Sequence, residues 1–144
     1  MNNSDDVQSR FLASLRRLRP VSARGLSHGR VLYSAYVPGK TYIVQSGYVR
    51  LMAIGENGDQ FTRMLLGRGS IFGDLPFTPP LSMKEESAIT SGATSILEYQ
   101  RHTIEAVVHR DEILCKILLE VYSRQLGLLD RRVQWQFAAP LRRR

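Results

Sequence analysis

The 144-residue chain is 43% hydrophobic and 23% charged, which is usual for one soluble folded domain and argues against general disorder. It has a single cysteine, a polar and acidic N-terminus and no apolar run long enough to cross a membrane. These features exclude an internal disulfide, a secretion signal and a membrane span, and they favour the cytoplasm. The net charge of +7 suits a nucleic-acid partner, but the arginines cluster near both chain ends, and a solvated basic helix face and tail explain them better than a DNA-contacting surface does.

The first predicted element is a short helix over 7–18. Apolar residues recur there at helical spacing with arginines on the opposite face, and Pro20 ends the pattern. The apolar positions are Val7, Phe11, Leu15 and Leu18. We therefore expect residues 1–25 to form an N-terminal helical segment.

Between residues 30 and 100 the pattern is typical of β-structure. Short runs rich in Val, Ile, Tyr, Thr and Leu alternate with glycine-containing turns, which predicts a sandwich, jelly roll or barrel. Asn57-Gly58 predicts a tight hairpin, because both residues of such a turn need positive φ. The predicted strands are Val31–Tyr36, Thr41–Gln45, Tyr48–Ile54, Gln60–Leu66, Ser70–Phe72, Glu86–Thr90 and Ser95–Tyr99.

Helical spacing returns after Arg101. We expect a short helix over 103–108 and a long helix over 111–137, which begins at Asp111, where an acidic side chain suits the helix dipole. Two apolar lines run along the long helix in steps of three and four, as in a coiled coil. We predict that one line packs on the β-domain and that the other joins two copies in a homodimer, while burial of both lines in one chain is the alternative. The predicted dimer residues are Leu118, Tyr122, Leu126, Leu129 and Val133.

The most informative motif is the segment 67–77, Gly-Arg-Gly-Ser-Ile-Phe-Gly-Asp-Leu-Pro-Phe, with Glu86-Ser87-Ala88 further on. Its glycines permit a tight turn and a close approach of the backbone to a bound group. Gly73 would present backbone N–H groups beside the Asp74 carboxylate, and Ser87 would add a hydroxyl. This suits a small polar ligand such as a sugar phosphate, although glycine-rich β-turns without a ligand are commoner.

The order of these features resembles that of the CRP/FNR family of transcription regulators and their cyclic-nucleotide-binding domain. The resemblance covers roughly residues 26–144 and rests on five segments in order: Tyr42 to Leu51, Glu56-Asn57-Gly58, Leu66 to Leu75, Ser87-Ala88 and Leu126 to Val133. It implies a mainly β fold with α-helices, a jelly roll flanked by a short N-terminal helix and a long C-terminal dimerisation helix. The implied parts are an effector-binding jelly roll over 26–110, the dimerisation helix over 111–137, and at 138–144 the start of a DNA-binding region that is otherwise missing or truncated.

The resemblance also implies roles for single residues. Gly73 would let the backbone approach the ligand, Asp74 would hold ribose hydroxyls, and Ser87 and Ala88 would meet a cyclic phosphate. The implied effector pocket consists of Phe72, Gly73, Asp74, Leu75, Glu86, Ser87, Ala88, Leu129 and Asp130. The effector is a small molecule of open identity, and the sequence implies no particular cofactor and no metal site.

Glu86 departs from the family pattern, because nucleotide binders place there an arginine that pairs with the phosphate. Like charges about 4 Å apart cost on the order of 1–4 kcal/mol, and the missing charge-assisted bonds cost about 1.5–3 kcal/mol more. Together these penalties correspond to about two to four orders of magnitude in affinity, unless Arg63 or Arg101 compensates. Residues 128–130 also lack the hydroxyl side chains with which cAMP binders touch the base. We therefore expect no tight cAMP binding.

Two functions remain open from the sequence. The first is the effector-sensing and dimerising domain of a CRP/FNR-type regulator, which meets DNA through a helix-turn-helix domain outside these residues. The alternative is a stand-alone cyclic-nucleotide-binding-like module that acts as a protein–protein adaptor. We do not expect an enzyme, since the sequence has no nucleophile set, metal-ligand spacing or glycine-rich loop followed by lysine.

Overall fold

The structure is a computed structural model that describes residues 3–35, 37–78 and 86–125. Within these ranges no helix is long and apolar enough to span a membrane. The elements in chain order are α1 (Asn3–Leu15), β1 (Ser22–Leu26), β2 (Val31–Tyr33), β3 (Lys40–Ile54), β4 (Gln60–Leu66), β5 (Ile71–Gly73), β6 (Ser87–Gln100), α2 (Arg101–Arg110) and a further helix, α3, over 112–125.

Two long, bent strands, β3 and β6, organise the sheet. The sequence predicted a turn at Gly47 and another at Gly92, each separating two short strands. Instead, both glycines adopt positive φ, +80° and +79°, and the pairing of β3 with β6 shifts register around them and continues. Bulges of this kind bend a strand without ending it. Four predicted strands therefore merge into two.

The bends divide the sheet into two halves whose inner faces pack together. One half contains β1, β5 and one end each of β3 and β6, and the other contains β2, β4 and the opposite ends. A single buried cluster joins Tyr42, Val44, Phe72 and Ile96 of the first half to Tyr33, Val49, Leu51, Leu66 and Ala88 of the second. We call the space between these faces the cup. This arrangement confirms the predicted mainly β jelly-roll class with flanking helices.

The helices cover the outer face of the first half. Phe11 and Leu15 of α1 are fully buried there against Ile43 and Tyr99, together with apolar residues of α2 and α3. Each such side chain contributes about 1.5–3 kcal/mol on burial. Asp111 caps α3, because its Oδ1 accepts a hydrogen bond of 3.0 Å from the Leu114 N–H.

Three local predictions differ from the structure. The hairpin lies at Asn57-Gly58 as predicted, but only Gly58 has positive φ, and bonds from Gly58 N to Gly55 O and from Gly55 N to Asp59 O form a longer turn with a bulge. Strand β1 was not predicted, and its residues Ser22–Leu26 overlap the end of the segment 1–25, in which a helix was predicted over 7–18. Helix α1 ends at Leu15 rather than at residue 18, where Leu18 N still bonds Leu15 O in a final turn.

Candidate functional site

Asp74 follows β5 and is held by β3, by α2 and by the turn that precedes β3. Its Oδ2 accepts a hydrogen bond of 2.7 Å from the Gly39 N–H, and its Oδ1 pairs with Arg101 Nη1 at 2.5 Å. The backbone oxygen of Asp74 accepts a 2.6 Å bond from the Thr41 hydroxyl. Arg101 also donates to the Thr78 carbonyl oxygen at 2.6 Å. Burial opposes the charge of Arg101, but the hydrogen bond and the charge of Asp74, together with those of Glu105, outweigh this effect and raise the arginine pKa above its usual value.

Gly73 fits a position that only glycine can occupy without strain. Its φ is +86°, and a Cβ added there would lie 2.8 Å from both the Lys40 carbonyl oxygen and Tyr42 Cδ2. Tyr42 cannot easily move aside, because its ring stacks on Phe72 at 5.3 Å and on Tyr33 at 5.7 Å between ring centres. The predicted close approach at Gly73 is therefore made to the protein's own backbone and aromatic core.

Glu86 carries a partner of its own inside the cup. Its carboxylate accepts a 2.9 Å hydrogen bond from the Tyr33 hydroxyl and pairs with Arg63 Nη2 at 2.5 Å. The Glu86 side chain is 8% exposed and that of Arg63 is 22% exposed, so the pair is largely shielded from water. Burial, followed by the nearby carboxylate, raises the pKa of Tyr33 far above its usual range, so the hydroxyl stays a donor. Glu86 is therefore neutralised by Arg63.

The long helix α3 is hydrogen-bonded directly to β5 and to the segment that follows it. The Gln125 amide accepts a 3.0 Å bond from the Ile71 N–H and donates a 2.9 Å bond to the Ile71 carbonyl oxygen. Because β5 pairs with β3 along its other edge, Gln125 occupies the free edge of β5. The Tyr122 hydroxyl donates a 2.7 Å bond to the Pro76 carbonyl oxygen, and burial raises the Tyr122 pKa well above its usual range.

The structure brings together only part of the predicted pocket. Phe72 and Ala88 lie in one buried cluster inside the cup, and Ser87 and Glu86 are buried at the start of β6. Leu75 packs on the opposite side, against the helices. Leu129 and Asp130 lie outside the described residues.

The sequence did not reveal which side chains bond to Asp74, Glu86 and β5. Tyr33 and Gln125 were not singled out, and Arg63 and Arg101 were considered only as possible phosphate partners. In the structure each arginine is paired with a carboxylate of the site itself. Such pairs join residues far apart in sequence, so only the sheet register could have revealed them.

Two of the α3 residues predicted to contact a second copy are buried or partly buried within the single chain. Leu118 is 2% exposed within the single chain, so its side chain has almost no surface left for a partner. Tyr122 is partly buried and is engaged with Pro76. The large apolar residues that α3 exposes within its described part are Ile113 and Leu119. The other predicted positions, Leu126, Leu129 and Val133, lie outside the described residues.

No cluster of three or more His, Cys, Asp or Glu residues that could hold a metal ion occurs in the part of the chain that the structure describes. Cys115 is half-buried on α3.

Comparisons with known proteins agree with this geometry. Residues 23–111 match the model of the cyclic nucleotide-binding domain family. A CooA mutant from Carboxydothermus hydrogenoformans is 19% identical, with a TM-score of 0.67 over 89% of this chain and 79% of that one. The Thermus thermophilus catabolite activator protein is 22% identical, with a TM-score of 0.60 over 94% of this chain, which spans 60% of its length. A transcriptional regulator from Thermotoga maritima is 13% identical, with a TM-score of 0.69 over 87% of this chain and 96% of that one.

At these identities the solved structures establish a shared fold, and the predicted likeness to CRP/FNR-type regulators is confirmed at that level. No curated protein sequence matches the chain. A family defined by ligand binding also agrees with the expectation of a protein that is not an enzyme. Since the matched residues make up more than half of the sequence, this chain belongs to the cyclic nucleotide-binding domain family.

Proposed function

We propose that this chain is the effector-sensing and dimerising domain of a CRP/FNR-type transcription regulator in the cytoplasm, and that its effector is not tightly bound cAMP. The observation that carries the proposal is the direct attachment of α3 to β5 through Gln125 and to the turn after β5 through Tyr122. A ligand that displaces this turn would also displace α3. Such a linkage converts occupancy of a site into movement of a helix.

The movement of α3 on ligand binding would be transmitted to a helix-turn-helix domain formed by residues outside this sequence. This role is supported by the structural relatives, which include a transcriptional regulator and a catabolite activator protein. For the dimer, Ile113 offers exposed apolar surface on the described part of α3 and lies outside the groove described below. The predicted contacts at Leu126, Leu129 and Val133 would continue that interface.

Replacing Gln125 with leucine tests the attachment of α3 to β5. The change removes both bonds to Ile71 and leaves its backbone groups without that partner, at a cost of about 1–3 kcal/mol. We expect hydrogen exchange of the Ile71 amide to accelerate by about tenfold or more, with faster exchange along α3. Ser123→Ala alters an exposed residue on the same helix and should leave both rates unchanged. Unchanged protection of Ile71 in the Gln125→Leu variant would contradict the proposed linkage.

Isothermal titration with cAMP tests the ligand part of the proposal. We expect the wild-type protein to bind cAMP with a dissociation constant weaker than about 100 µM, because a cyclic phosphate must approach Glu86 and compete with it for Arg63. Glu86→Gln removes the negative charge and should strengthen cAMP binding at least tenfold. Combining it with Arg63→Gln should abolish that gain. Submicromolar binding of cAMP by the wild-type protein would refute this part of the proposal.

A further inference from the structure

A groove of about 580 Å³ lies outside the cup, between α2, α3 and the end of the segment that follows β5. This volume falls within the usual range of small-molecule sites, roughly 300–1,000 Å³. The walls are mainly apolar and are formed by Phe77, Val108, Cys115, Leu118, Leu119 and Tyr122. The groove could therefore enclose much of the surface of a small apolar molecule.

The cup itself is filled by the protein's own side chains. Tyr33, Tyr42 and Phe72 stack on one another inside it and are 6%, 3% and 2% exposed. The carboxylates of Asp74 and Glu86 are both already paired with arginines. A ligand entering the cup would have to displace these contacts.

Phe77, at the rim of the groove, is held in an unfavourable conformation. Its φ is +62°, which costs a non-glycine residue about 1–2 kcal/mol, and its side chain remains 54% exposed. The Phe77 N–H donates a 2.9 Å bond to Glu105 of α2, which helps to hold this backbone in place. Backbone strain that presents an exposed aromatic ring over an open groove is typical of a binding site.

The charges at the rim favour a negatively charged ligand group. Arg110 lines the groove and forms no ion pair with any residue that the structure describes. The acidic residue at the rim, Glu112, lies 3.8 Å from Lys116 and is balanced by it. An arginine next to an apolar groove suits an acid whose carboxylate or sulfonate is attached to an apolar body.

We propose that this groove is the effector site and that it takes a small aromatic or aliphatic acid, with its apolar part between Phe77 and Leu119 and its anionic group at Arg110. The inference rests on the proposed sensing function. A ligand in the groove would contact Tyr122 and Thr78. Tyr122 of α3 bonds Pro76, and Arg101 of α2 bonds Thr78, so these two contacts attach the turn after β5 to both helices. Binding would therefore act on the same attachments that link the turn to the long helix.

Fluorescence titration with 1-anilinonaphthalene-8-sulfonate, an aromatic sulfonate that brightens in apolar sites, tests the proposal on the full chain. We expect saturable binding at one site per chain. Arg110→Glu should weaken it at least tenfold. Arg16→Glu makes the same charge change at an exposed position outside the groove and should change affinity less than twofold. Because Cys115 is the only cysteine and lines the groove, the same probe should slow its alkylation by N-ethylmaleimide at least fivefold.

Non-saturable fluorescence overturns the proposal, as does equal weakening by Arg110→Glu and Arg16→Glu. A second copy covering the groove is the competing occupant. In that case Leu119→Arg would convert a dimer to a monomer in light scattering. The same variant would speed alkylation of Cys115 in the absence of the probe. Either result, if the probe does not bind saturably, refutes the proposed ligand site. These failures differ from failure of the proposed function, which would show as unchanged exchange at Ile71 in the Gln125→Leu variant.

Discussion

The Asp74→Ala variant is expected to lose about 3–5 kcal/mol of folding free energy. Removing one member of a buried ion pair costs this much because the remaining charge stays in place without its partner. Here the variant leaves the Arg101 guanidinium, 19% exposed, without its closest carboxylate, and it leaves the Gly39 N–H without its acceptor. Many small domains have a total stability of only about 5–15 kcal/mol, so this single change should lower the urea midpoint markedly.

A double-mutant cycle separates the pair from other effects of the substitution. Asp74→Ala combined with Arg101→Gln should be less destabilising than the sum of the two single changes, with a coupling energy of about 1–3 kcal/mol. Lys116→Gln is the matched control, because it breaks an ion pair whose side chains are 72% and 86% exposed. Such a pair contributes about 0–1 kcal/mol. If Asp74→Ala costs no more than Lys116→Gln, Asp74 does not have the structural role described above.

The same ion pair shows what the sequence could and could not reveal about the site. The motif predicted a close approach of the backbone at Gly73 to a bound ligand, because glycine after a strand permits a tight turn. It could not show that the contact is with Tyr42 and Lys40 rather than with a ligand. The partners of Asp74 and Glu86 depend on strand register and on the packing of α2, which no local pattern contains.

The strand pattern shows a similar limit. Alternating apolar residues located nearly all of the β-structure, but Gly47 and Gly92 suggested turns where the structure has bulges. A glycine with positive φ is compatible with both, and only pairing with a neighbouring strand distinguishes them. Gln125 was missed for a related reason: one polar residue on an apolar helix gives no signal in periodicity, although its amide satisfies the free edge of β5.

The contacts in the cup are satisfied by the protein's own side chains. The family's pocket is present as a fold, but here its acids are neutralised internally and its aromatic residues fill the interior. Internal pairing stabilises the empty state of the cup and thereby raises the free energy needed to admit an anion. These contacts support the proposal that cAMP binds weakly and that the effector is a different molecule.

The Gly73→Ala variant is expected to lose about 2–5 kcal/mol of folding free energy. The left-handed backbone costs a residue with a Cβ about 1–2 kcal/mol, and the clashes with Lys40 and Tyr42 add the usual cost of overpacking, about 1–3 kcal/mol. The Lys40 carbonyl oxygen cannot withdraw, because it accepts a 2.9 Å bond from the Asp74 N–H. Tyr42 is fixed by its two stacked neighbours.

Alanine variants of two other glycines separate the cost of backbone strain from the cost of the clashes. Gly58 has φ of +81° but open space around a Cβ, so Gly58→Ala should cost only the backbone strain, about 1–2 kcal/mol. Gly25 has open space and no positive φ, so Gly25→Ala should change stability by less than about 0.5 kcal/mol. In urea denaturation the loss of folding free energy should therefore be largest for Gly73→Ala, smaller for Gly58→Ala and smallest for Gly25→Ala. If Gly73→Ala does not fold, adding Tyr42→Leu should recover stability by relieving the ring clash, and equal costs for Gly73→Ala and Gly58→Ala would show that no clash exists.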